Sequence, residues 1–287
     1  MRSSPASPAP RFIKMLVLGE SGSGKTGALA SLLQAGYNVR IFDADGTGEE
    51  LLRSLAPDAG ERLAVLPLAE RFTPVNGMLF PLRPDGWLRL CDAVRKWLGG
   101  IHTWTARDVL VIDTLTTIGR LAYYHARKIA GRESALESGK LWQQDIGNAQ
   151  ALCIALMDML HGDGVPCHVI VNCHINRTFS DGLRPTDLDY EQARAEKRII
   201  KLGGYPVVIG AKAGVKVPIY FGNMLYLHGA GKDALFHTTP IDGINVKTTA
   251  PSSVKRTYKQ ATGLAELFAD LASSPATPAP QQKESNS

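Results

Sequence analysis

The octapeptide GESGSGKT, Gly19-Glu20-Ser21-Gly22-Ser23-Gly24-Lys25-Thr26, decides how the rest of the chain is read. It satisfies the pattern G-x-x-x-x-G-K-[ST] and carries the flanks that the pattern needs. Phe12 to Leu18 is a short apolar run suited to a buried parallel strand, and Ala28 to Leu33 is a good helix former. Strand, glycine loop and helix in that order turn successive backbone N–H groups toward an anion at a helix N-terminus. The Lys25 ammonium then reaches the β and γ phosphates of a nucleotide, and the Thr26 hydroxyl is offered to Mg²⁺.

Working outward, 287 residues with 44% hydrophobic content give room for a large α/β domain with its own core. The Ser-, Pro-, Ala- and Gln-rich ends, residues 1–10 and 273–287, bury too little apolar surface to offset ordering, so they are expected as disordered tails around a domain at 11–272. No apolar run approaches the ~20 residues of a membrane span, and the first ten residues lack the apolar stretch of a signal peptide. The expectation is a cytoplasmic protein with no membrane partner. Cys91, Cys153, Cys167 and Cys173 show no C-x-x-C spacing, which argues for reduced structural thiols and against zinc. A net charge of +5 is compatible with a nucleic-acid partner without requiring one.

Further strands are expected at Asn38 to Phe42, ending in Asp43-Ala44-Asp45-Gly46, and at Leu63 to Leu68. Phe72 to Pro84, with three prolines, reads as a loop. The spacing of Trp87, Leu90, Cys91, Val94 and Leu98 marks an amphipathic helix ended by Gly99-Gly100, and Trp142 to Leu160 carries a second apolar stripe. Asp108-Val109-Leu110-Val111-Ile112-Asp113 is a buried strand with an acid at the edge where open α/β sheets bind ligands. Asp113 there either holds Mg²⁺ opposite Thr26 or caps the following helix. His168 to Asn172 is another apolar strand with Cys173-His174 at its end, and the stretch from there to Tyr205 is polar and aperiodic. Short strands near 224–227, 234–237 and 244–248 precede a last helix at about 263–272.

The acid strand ends in Asp113-Thr114 rather than Asp-Glu, so a carboxylate that activates water must come from Asp45 or, in reserve, Asp43. At GESGSGKT, IFDADG, LVIDTLTTIG and VIVNCHIN the chain resembles RecA-like ATPases. It is more closely similar to the phage-encoded RecA-like core ATPases of the AAA_24 type, which include the Sak-four group of single-strand annealing proteins, on YPVVIGAKAGVKVPIYFGNMLYL and NVKTTAPSSV. The resemblance implies a P-loop NTPase fold, a RecA-like mostly parallel β-sheet flanked by helices. It also implies Mg·ATP as ligand, Lys25, Asp45 and His174 as the working residues, a homo-oligomer, single-stranded DNA as partner, and the host cytoplasm as location. His174 takes the position of a γ-phosphate sensor, although a lone His at a strand end also serves as a structural hydrogen-bonding residue. Asp45 stands where the family has Glu, and Lys247-Thr248-Thr249 lacks the Arg that the family sends into a neighbouring site, leaving Lys247, Lys255 and Arg256 as late cations. The segment from Ile175 to Gly204, with Arg177, Arg184, Arg194, Lys197, Arg198, Lys201, Phe179 and Tyr190, is expected as a mobile DNA-coupling loop. Its interspersed acids equally suit a solvated face. A small-molecule kinase and a nucleotide-binding assembly protein with little turnover are the rival readings.

Overall fold

The computed structural model describes residues 12–70, 72–75, 78–81, 84–99, 103–132, 142–162, 165–179 and 201–274. The expected tail at 1–10, the tail expected at 273–287 except for its first two residues, and the basic residues at 184, 194, 197 and 198 lie outside them; the last helix takes in Ser273, the first of those two. Nine strands form one sheet: β1 (Lys14–Gly19), β2 (Asn38–Asp43), β3 (Leu63–Pro67), β6 (Asp108–Asp113), β7 (His168–Phe179), β8 (Lys201–Pro206), β9 (Asn223–His228), β10 (Leu235–His237) and β11 (Thr257–Lys259). A separate ribbon pairs β4 (Phe72–Val75) with β5 (Met78–Pro81). The order across the large sheet is β3-β2-β6-β7-β1-β9-β10-β11, with β8 added to β7. From β3 to β9 every neighbour is parallel, and β10, β11 and β8 are antiparallel additions.

The period-2 alternation of the strands builds two cores. Leu16, Leu18, Leu110, Ile112, Val169 and Val171 face one side. There they meet α4 (Gly86–Gly99), α5 (Leu115–Ile129) and α6 (Gln143–His161). Met15, Val17, Val109, Val111 and Ile170 face the other. They meet the short helices α1 (Lys25–Ala28), α2 (Ala30–Gln34) and α3 (Gly48–Leu55), and the C-terminal α8 (Gly263–Ser273). Strands buried on both faces read as continuous apolar runs, which makes them visible in the sequence. Cutting fully buried Ile112 to Ala removes about 2–5 kcal/mol of stability.

The structure departs from the sequence expectations at three places. Phe72 to Pro84 holds the β4–β5 ribbon rather than a plain loop, because a two-stranded ribbon has only edges and a Pro can face away from its partner. Residues 244–248 make isolated bridges, Met224 to Lys247 and Ile241 to Ile244, instead of a strand. There the Asn223 amide oxygen accepts from the Thr249 N–H (3.0 Å) and the Thr248 hydroxyl (3.2 Å), taking bonds that a ladder would use. The strand from His168 continues to Phe179 and pairs with β8, so both ends of the expected mobile loop are ordered antiparallel strand. Gly203-Gly204 weakens the strand signal of β8, yet a Cβ on Gly204 would stand 2.7 Å from Ile175 Cδ1, so the close pairing needs glycine. Helix α3, the helix α7 (Ala211–Lys216) and strand β11 carry no signal that the sequence reading picks out.

Candidate functional site

Four polar side chains, Asp43, Asp113, Asn172 and His174, stand at the C-terminal edge of the parallel strands, where period 2 carries them onto the face of α1. Asp43 continues the face of Val39 and Ile41, Asp113 that of Val109 and Val111, and Asn172 and His174 that of Ile170. Register sets their heights: Gly19 is level with His174, and Asp43 with Asp113. The glycine loop closes over this edge with Gly22 and Gly24 at φ +75° and +92°, a conformation that a side chain strains.

Within the cleft Lys25 is buried, and its Nζ donates to the carbonyls of Gly19 (3.0 Å) and Glu20 (2.8 Å). Burial holds its pKa below the usual lysine range, opposed chiefly by the charge of Asp113. The Thr26 hydroxyl donates to Asp113 Oδ2 at 2.6 Å, and the Asn172 amide donates to Oδ1 at 3.0 Å. Burial pushes Asp113 up to about 6 despite those two bonds, with Asp45 and Asp43 adding repulsion. The peptide between Asp113 and Thr114 is cis.

The two acids after β2 do different things. Asp43 is buried, and its oxygens accept the backbone N–H groups of Asp45 (3.1 Å), Gly46 (2.7 Å) and Gly48 (2.8 Å), so it folds the turn and starts α3. Asp45 is exposed on the cleft wall, with Oδ1 accepting from the Thr117 hydroxyl at 2.5 Å. His174 is half-buried, its Nδ1 3.4 Å from Lys25 Nζ. Burial and then Lys25 keep its pKa low, so the ring is neutral at pH 7. By contrast His168 is a core histidine, bonded to Ile13 N and Ala106 O at 2.9 Å each.

No protein-family model matches this chain, and no curated protein does. Among solved structures it is similar to one described as the crystal structure of the RadB recombinase, at 16% identity and a TM-score of 0.34 over 78% of each chain. A likeness of that size leaves the functional reading to the site itself.

The cleft measures about 860 Å³ and is walled by the glycine loop, Asp45, Thr117, Arg120, His174 and the segment 207–210. Ser21, Gly22 and Gly24 line it, whereas Gly19, Glu20 and Ser23 are not among its lining residues: the first two meet Lys25 through their carbonyls and Ser23 is buried. Sequence reading missed several contributors. Asn172 had a signal, a lone amide in an apolar strand. Thr117 and Arg120 lie one and two turns into α5, and Gln260, whose amide donates to the Gly24 carbonyl at 2.8 Å, comes from the far end of the chain. Of the late cations, Lys255 is paired with Glu266 at 2.7 Å and Lys247 sits in the bridge to Met224. Among the described residues no helix is long and apolar enough to cross a membrane.

Proposed function

We propose that the protein is a RecA-like ATPase that couples ATP to single-stranded DNA binding and works as a homo-oligomer. The observation that carries the reading is the 2.6 Å pairing of Thr26 with Asp113, 87 positions apart, with a buried Lys25 and with an Asp45 carboxylate whose Oδ2 no side chain among the described residues bonds. Thr26 and Asp113 fit a divalent cation. Burial and two neighbouring acids disfavour the Asp113 charge, and a cation beside it relieves that. Mg²⁺ bound there neutralises charge on the β and γ phosphates.

The chain's own residues supply the rest. The loop N–H groups and Lys25 hold the phosphates. Asp45 takes a proton from water as the water oxygen bonds to the γ phosphorus. The bond from that phosphorus to the bridging oxygen breaks, and its electron pair leaves with ADP. Asp43 is unsuited to that role because three backbone donors already occupy its carboxylate.

Coupling to DNA follows from the β7–β8 arm. It leaves the cleft at His174, beside Lys25, and returns to it at Val207–Gly210. A change at the γ phosphate therefore acts on both roots of the arm. Residues 180–200, between these strands in sequence, carry Arg184, Tyr190, Arg194, Lys197 and Arg198. Kinship with the phage annealing ATPases is proposed on the quoted segments alone.

The test is the ATP hydrolysis rate with and without single-stranded DNA, with Lys25→Ala as control. Hydrolysis stimulated by DNA and lost in Lys25→Ala supports the reading. Phosphate transfer to an added metabolite redirects it to a kinase, and tight binding without turnover to an assembly protein.

A further inference from the structure

We infer that Thr117 and Arg120 are positioning residues that hold the Asp45 carboxylate in its working orientation; this rests on the hydrolysis reading above. Thr114, Thr117 and Arg120 fall at spacings of three along the start of α5 and so share one helix face. A threonine hydroxyl has one proton to give and two lone pairs to receive. Arg120 Nη2 donates to Thr117 Oγ1 at 3.1 Å, and the Thr114 hydroxyl approaches the same oxygen at 3.4 Å. With its lone pairs engaged, the Thr117 proton points to Asp45 Oδ1 at 2.5 Å, in the range of a charge-assisted O–H···O⁻ bond. The Thr114 oxygen is itself turned toward this face, receiving the Thr117 N–H as the cap of α5.

The consequence concerns a short, exposed acid on a turn. Asp45 follows Asp43-Ala44 and precedes Gly46 at φ +78°, and no other side chain among the described residues bonds its carboxylate. Without Thr117 the carboxylate rotates among staggered rotamers. Pinned by Oδ1, it keeps Oδ2 for a water proton in one fixed direction. Arg120 acts one step back. Its guanidinium makes one side-chain hydrogen bond among the described residues, to Thr117, and sets the direction in which that hydroxyl donates.

The experiment compares kcat and ATP Kd for the full-length wild type, Thr117→Val, Thr117→Ser, Arg120→Met, Asp45→Asn and the Thr117→Val/Asp45→Asn double variant. Misplacing a reacting group by about 1 Å costs on the order of 10²-fold, so Thr117→Val should lower kcat by roughly 10- to 100-fold, far more than it changes Kd. Thr117→Ser, which keeps the hydroxyl, should recover most of that loss. Arg120→Met, at an exposed position that does not endanger folding, should lower kcat several-fold. Thr117→Val should cost nothing further once Asp45 is Asn, because a residue acting only through Asp45 has nothing left to orient. Normal kcat in Thr117→Val and Arg120→Met, equal losses in the Val and Ser variants, or an undiminished Thr117→Val effect beside Asp45→Asn each overturns the inference while leaving the hydrolysis reading intact. A wild-type protein that binds ATP without turnover overturns both.

Discussion

Asp113→Asn should make the nucleotide-free protein more stable while impairing its function. The Asp113 carboxylate is 2% exposed, and its ionisation midpoint moves from 3.8 to about 6 on folding, chiefly through burial. An acid raised in this way binds more protons folded than unfolded between those values, so its cost to stability grows as pH rises through that window and is fully present above it. At pH 7.5 the cost is about 3 kcal/mol, and at pH 4.5, where the folded carboxyl is mostly protonated, about 1 kcal/mol. Asn keeps both hydrogen bonds, accepting from Asn172 and donating to a reoriented Thr26 hydroxyl. Urea unfolding in EDTA should show the variant more stable than wild type by about 1–3 kcal/mol at pH 7.5 and by a smaller margin at pH 4.5. Adding Mg·ATP at about 100 times Kd should stabilise wild type by about 2.7 kcal/mol and the variant by much less. A variant less stable than wild type at both pH values would show that Asp113 is a net structural asset and would refute the electrostatic argument.

Gly24→Ala should lose most ATP affinity in a titration, because φ +92° strains any side chain and the new Cβ would press on the Gln260 amide at 3.0 Å; unchanged affinity would mean that the loop rearranges to bind. His174→Ala should keep basal binding of ATP and DNA but remove the effect of each on the other. Since burial and then Lys25 lower the pKa of the ring, that coupling in wild type should weaken only under conditions more acid than those that protonate an ordinary imidazole, as anisotropy titrations with an ATP analogue will show. Replacing Arg194, Lys197 and Arg198 by Ala should weaken single-stranded DNA binding and flatten its log–log salt slope by about 0.7 for each phosphate that the variant no longer neutralises, and an unchanged slope would place the DNA surface elsewhere.

Much of this fold is legible because its signals are local. GESGSGKT dictates a strand, a left-handed glycine turn and a helix start from adjacent residues. The doubly buried strands at 14–19, 108–113 and 168–173 announce themselves as apolar runs. Asp113 and His174 are legible as site candidates because each ends such a run. What stays hidden depends on neighbours distant in sequence. Asp43 and Asp45 look alike as text, and only the three backbone N–H groups converging on one and the Thr117 hydroxyl on the other separate them. Strand β8 is stabilised by a partner about thirty residues back, with Tyr205 accepting from Asn176 at 2.8 Å, while its own Gly203-Gly204 speaks against a strand. Gln260 reaches the loop from 236 positions away, an interaction without any local pattern.

The central claim, that this cleft hydrolyses ATP with Asp45 as the base, is tested most directly by phosphate release in a single turnover from ATP already bound to wild type and to Asp45→Ala. The account predicts comparable ATP affinity in both proteins and release slowed by about 10²-fold or more in the variant. Equal release rates from equally loaded proteins would contradict it.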